Sequence, residues 1–156
     1  TDQVTWTGTH FEGCNGSSWV GLGQVGACSG LFRYWKVVGG DITFMHAPRS
    51  SQIRFRDKDG AVLTPVASFG QGFQTNNCSD AGWIWDTGDF YTADFGTGVQ
   101  VEDVEFWNVF NGPRGMNLHI FCSNNNISWT EVAKNSPWNY SIESGTCEWQ
   151  NSGSFH

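Results

Sequence analysis

Alternation is the feature that most limits what this chain can fold into. In "SQIRFRD" (51–57), Ile53 and Phe55 point to one side and Arg54 and Arg56 to the other. In "GMNLHIFC" (115–122), Leu118, Ile120 and Cys122 share a side, and "DITFMHA" (41–47) alternates through Ile42, Phe44 and His46. A side-chain period of two is that of half-buried antiparallel strands. No helical period runs through the chain, and only "WTEVAKN" (129–135) has room for one helical turn. Gly39-Gly40, Asp59-Gly60 and Asn111-Gly112 are turn dipeptides, so "VVGGDI" and "RDKDGAV" read as hairpins.

About ten short strands result, and they need a closed barrel or two packed sheets, because an open sheet of that width leaves exposed edges. The expected fold is therefore all-β, an antiparallel β-barrel or β-sandwich stapled by disulfides. At 156 residues the chain can bury one core, which predicts a single domain over 1–156. A weak internal echo pairs Trp6, Phe11, Cys14 and Trp19 with Phe69, Phe73, Cys78 and Trp83. It suggests a duplication of about 4–60 onto 66–112.

The net charge of −7 argues against nucleic acid and anionic membranes, which demand clustered cations. No run of 18 apolar residues offers a membrane span. Four Asn-X-Ser sequons, at Asn15, Asn77, Asn126 and Asn139, favour secretion. The chain opens on Thr1, which reads as a processed product.

Cys14, Cys28, Cys78, Cys122 and Cys147 contain no C-x-x-C pair, so a zinc knuckle or redox motif is not indicated. Disulfides in an oxidising compartment fit better. Cys14 with Cys28 closes the shortest loop and is the first expected pair, and Cys122 with Cys147 is the second. That leaves Cys78 over, although spacing alone does not fix connectivity.

The chemistry-bearing stretch is "WIWDTGDFYTADFG" (83–96), five aromatics and three carboxylates. Trp83 and Trp85 would share a strand face, with Thr87-Gly88 reversing the chain. Core plus turn is the plain reading of this stretch. The sharper ones are a glycan platform from Trp83, Trp85 and Tyr91, or a hydrolase using Asp86, Asp89 or Asp94 with Glu102 or Glu105. A glycosidase needs two carboxylates about 5–10 Å apart across a cleft. Asp57-x-Asp59-Gly60 resembles the start of a calcium loop, but Ser68 stands where the closing glutamate belongs, so a turn is expected. His10, His46, His119 and His156 are isolated, and neither a metal nor another cofactor is implied. No nucleophile elbow or phosphate-cradling loop occurs.

What remains are anchors for a protein partner. "LFRYWK" and "RSSQIRFRDK" supply Arg33, Tyr34, Trp35, Arg54, Arg56 and Lys58, residue types that dominate interfaces. Ordinary strands with solvated arginines are the plain alternative.

The start "TDQVTWTG", the segment "GCNGSSWVGLGQVGAC" (13–28), the Trp-rich strands and the late "SGTCEW" (144–149) together resemble a small secreted fungal necrotrophic effector, of the Tox type found in cereal leaf pathogens. The resemblance implies a disulfide-bonded β fold released into the host apoplast. It also implies a monomer that binds a host extracellular or surface protein, such as a plant defence protein. Cell death would follow from that contact and not from catalysis. An odd cysteine count departs from the fully paired pattern of such proteins.

Overall fold

The computed structural model describes residues 27–71, 83–108, 113–142 and 148–156, together with the backbone of three strands before them. The described residues hold fourteen strands and no helix. In chain order they are β1 (Val4–Trp6), β2 (His10–Cys14), β3 (Trp19–Gln24), β4 (Phe32–Ile42), β5 (Arg49–Arg56), β6 (Val62–Leu63) and β7 (Ala67–Gly70). Then follow β8 (Trp83–Ile84), β9 (Phe90–Val99), β10 (Asp103–Asn108), β11 (Arg114–Ser123), β12 (Thr130–Glu131), β13 (Trp138–Ile142) and β14 (Glu148–Asn151).

The pairings are antiparallel throughout the named strands. β1, β2 and β3 form a three-stranded sheet. The larger of the two main sheets has six strands in the order β12-β11-β4-β9-β7, with β13 also on β11. The smaller has five, in the order β14-β10-β5-β6, with β8 also on β5. The expected all-β fold is present as two packed sheets, not as a closed barrel. β4 and β5 pair with β9, β10 and β11, so strands early and late in the chain interleave.

One core fills the space between the main sheets. Trp35 and Val37 of β4, Tyr91, Ala93 and Phe95 of β9, and Met116, Leu118 and Ile120 of β11 line one side. Ile53 and Phe55 of β5 and Val104 and Phe106 of β10 line the other. Rings bridge the gap: Phe55 stacks on Tyr91 at 6.3 Å and meets Phe95 edge-on at 5.9 Å, and Phe106 lies 5.1 Å from Tyr140. Burial of these rings is the main force holding the sheets together.

The alternation in 51–57 and 115–122 is realised, with Ile53, Phe55, Leu118, Ile120 and Cys122 all buried. The turn at Asp57–Gly60 is also as expected. Asp57 Oδ1 accepts from the amides of Asp59 and Ala61, Gly60 takes a positive φ, and β5 pairs with β6 beyond it.

Four expectations are corrected. Gly39-Gly40 is no hairpin turn, because β4 continues through it, with a shift of register against β11. A Cβ on Gly39 would lie 2.7 Å from the carbonyl of Asp86, and one on Gly40 2.7 Å from that of Asn117. The glycines serve close backbone approach there. β4 then ends at Ile42, so "DITFMHA" is strand only at its start, and Ile42, Phe44 and His46 are exposed. Segment 83–96 is not a hairpin either. β8 pairs with β5 in one sheet and β9 with β4 and β7 in the other, so the turn at 86–89 carries the chain between sheets. "WTEVAKN" holds β12 and bends instead of a helical turn.

The disulfide joins Cys28 to Cys122, with Cα atoms 5.9 Å apart. This replaces the expected Cys14–Cys28 and Cys122–Cys147 pairings. Proximity in space, not along the chain, decides it: Cys28 precedes β4, and Cys122 faces Trp35 of β4 from β11. The side chain of Cys14, and Cys78 and Cys147, lie outside the described residues, as does the Asn111-Gly112 turn.

Candidate functional site

Both main sheets have an outer face, and the two faces differ in how their charges are used. On the smaller sheet, Arg54 and Arg56 project outward because Ile53 and Phe55 project inward. The β5/β10 register sets Arg56 opposite Asp103 and Arg54 opposite Glu105. Arg56 donates Nε and Nη2 to the two oxygens of Asp103 at 2.8 and 3.0 Å. Arg54 donates Nε to Glu105 at 2.5 Å, and its guanidinium lies 3.8 Å from the ring centre of Trp149. Asn151 adds donations from Nδ2 to both acids, at 3.1 and 3.2 Å. The hydrogen bond to Asp103 raises the Arg56 pKa. This is a closed network, with each cation consumed by an in-register acid, and not an open basic patch.

Arg33 is spent in the same way. Its Nε and Nη2 reach the two oxygens of Asp94 at 2.8 and 3.0 Å. That contact, helped by the amide of Gly96, holds the Asp94 carboxyl below the usual carboxylate range. Arg33 also lies 4.9 Å from the ring of Tyr34, which is half-buried.

The outer face of the larger sheet is built otherwise. The register places Glu131 of β12, Phe121 of β11, Lys36 of β4, Thr92 of β9 and Phe69 of β7 side by side in one row across five strands. In the next row Phe90 stands opposite Val38, which in turn faces His119. Lys36 reaches outward because Trp35 and Val37 on either side of it fill the core. Its Nζ sits 4.0 Å from the ring centre of Trp129 and 5.7 Å from that of Phe121. Burial lowers its pKa. Lys36, Phe69, Phe90, Thr92, Asn126 and Trp129 line a shallow pocket of about 320 Å³. Phe69 is 49% exposed and Phe90 40%, more than such rings usually leave open to water.

The nearby acids are already committed. Asp94 belongs to Arg33, and Glu131 Oε1 lies 2.6 Å from His119 Nδ1 and accepts from Ser136 Oγ at 2.7 Å. Among the described residues, Lys36 has ring contacts and no carboxylate partner.

The remaining expected site residues fall as follows. Trp35 and Trp85 are fully buried and Tyr91 is 8% exposed, so none of the three presents a ring to a partner or a sugar. This corrects the reading of Trp35 as a partner anchor and of Trp85 and Tyr91 as a glycan platform. The cause is their place on the inward side, Trp85 against Phe106 and Tyr91 against Phe55. The side chain of Trp83 lies outside the described residues. Lys58 is exposed at the β5–β6 turn.

Four of the five candidate acids have structural partners for their carboxylates, while Asp86 is exposed and joins its turn through its backbone. Asp86 and Asp89 close their own turn, Asp89 Oδ2 accepting from the Asp86 amide at 2.8 Å. Glu102 accepts from Ser154 Oγ, while Asp94 and Glu105 each answer an arginine. Sequence reasoning did not single out Phe69, Phe90 or Trp129 as site residues, and it named Asn126 only as a sequon. Alternation could place Lys36 outward, but only the register of five strands shows what stands around it.

No family model matches the chain, and no curated protein or solved structure is significantly similar to it.

Proposed function

We propose that this is a secreted effector-like protein that docks on a host protein and promotes host cell death without catalysing a reaction. The observation that carries the reading is the outer face of the larger sheet, where two half-exposed phenylalanines surround an outward lysine. Exposed aromatic and cationic side chains on a rigid sheet suit an interface anchor. The carboxylates of Asp94, Glu105 and Glu102 are engaged by Arg33, Arg54 and Ser154, which favours a structural use of these acids over a catalytic one. A disulfide between residues distant in the chain, and sequons exposed at Asn126 and Asn139, accord with an oxidising, extracellular setting. The lectin alternative is weakened by the burial of Trp85 and Tyr91.

The test is infiltration of purified protein into leaves of several cereal lines. Alongside it go Phe69→Ala/Phe90→Ala and Asp86→Asn/Glu102→Gln, each checked for fold by near-UV circular dichroism. Necrosis in some lines, kept by the acid variant and lost by the aromatic variant, is expected. No response in any line, or a response lost only with the acids, would overturn the reading.

A further inference from the structure

We infer that the pocket around Lys36 receives a carboxylate side chain, glutamate or aspartate, presented beside apolar residues on a peptide segment of the partner protein. The inference rests on the docking face proposed above and names what that face selects.

The argument starts from charge. On the outer sheet faces Arg33, Arg54 and Arg56 each meet an acid placed opposite or beside them. Lys36 does not. Its ammonium rests between the rings of Trp129 and Phe121 and has donors left over for an acceptor from outside. A cation partly withdrawn from water, with fixed aromatic walls, binds an incoming anion more strongly than a solvated lysine does.

The surroundings then choose the type of anion. Phe69, Phe90 and Trp129 dominate the lining, and Thr92 and Asn126 supply the few further polar groups. A sugar acid carries several hydroxyls that this lining would leave without partners, at a cost for each. A side-chain carboxylate flanked by leucine or phenylalanine meets both needs, the acid at Lys36 and the apolar flank over Phe69 and Phe90. The pocket volume of about 320 Å³ accommodates one such side chain and part of a neighbour. Selection must be local, because the chain's net charge of −7 repels acidic ligands at long range.

The test uses short synthetic peptides with Leu on both sides of a central Glu, Gln or Lys, titrated into isotope-labelled protein and read by amide chemical shifts. The Glu peptide should shift Lys36, Phe69, Thr92 and Asn126 and bind about tenfold more tightly than the Gln peptide. Lys36→Met should erase that difference, and Lys36→Arg should retain most of it. Equal affinity for Glu and Gln peptides, or shifts elsewhere, would overturn the inference. So would oligogalacturonate binding at these residues in place of the peptides. Failure here is distinguishable from failure of the docking reading: loss of necrosis in Phe69→Ala/Phe90→Ala with no Glu preference keeps the face and removes the carboxylate.

Discussion

Gly70 comes so close to Phe90 that a Cβ on Gly70 would lie 2.2 Å from the Phe90 carbonyl oxygen and 2.9 Å from its ring. Gly70 also has a φ of +98°, a region that side chains rarely adopt. β7 therefore packs against β9 at this point only because residue 70 is glycine, and that packing sets Phe90 at the pocket edge. Gly70→Ala should destabilise the fold by roughly 2 kcal/mol or more, from backbone strain and displacement together. Urea denaturation measures the cost. In the same variant the Phe90 ring resonances should move while those of Phe106, deep in the core, stay in place.

Asp103 is nearly buried and takes both prongs of Arg56. Asp103→Asn should cost roughly 1–3 kcal/mol, since the arginine keeps its charge while its partner loses the negative charge and one of two acceptor oxygens. Removing both partners, as Arg56→Met/Asp103→Leu, should recover part of that loss, because paired apolar replacements avoid a lone desolvated ion. Denaturation of the single and double variants, read as a cycle, decides the matter.

The Asp94 carboxyl is held below its ordinary range first by Arg33 and then by the Gly96 amide. A depressed acid contributes stability that is present above its unfolded pKa, near 4, and is lost as pH falls through the lower folded value. The melting temperature should accordingly decline below about pH 4. In Arg33→Gln this decline should be shallower, since less of the native pairing remains to be lost. Melting curves between acid and neutral pH, for wild type, Arg33→Gln and Asp94→Asn, give the comparison.

The Cys28–Cys122 bond spans a sequence separation of 94. Closing a loop of that length is worth about 4.5 kcal/mol in the chain-entropy model. Cys28→Ser/Cys122→Ser should lower stability toward that figure, and peptide mapping of the unreduced protein should recover the Cys28 and Cys122 peptides joined. A mapped Cys14–Cys28 link would refute the connectivity.

The legible parts of this fold were those governed by local rules. Alternation at Ile53–Phe55 and Leu118–Cys122 identified strands and their inward sides, and the Asp57–Gly60 turn followed from its own side-chain chemistry. Gly39-Gly40 misled because glycine serves turns and close approaches equally, and only the neighbouring strands distinguish them. Trp85 and Tyr91 looked like surface candidates, yet a chain segment that passes between two sheets points its large rings into the gap. The disulfide and the Lys36 pocket were out of reach for one reason. Both depend on β4 lying beside β11, which no local pattern encodes.

Asn126, at the rim of the Lys36 pocket, is exposed, has a φ of 59° and opens the sequon Asn126-Ile127-Ser128. An oligosaccharide attached there would stand as a shutter beside Trp129 and Lys36. The chain made in a bacterium and the chain made in a glycosylating cell would then be two reagents with one backbone. The cell of origin, through its transferase, would decide which of them can be read at this face.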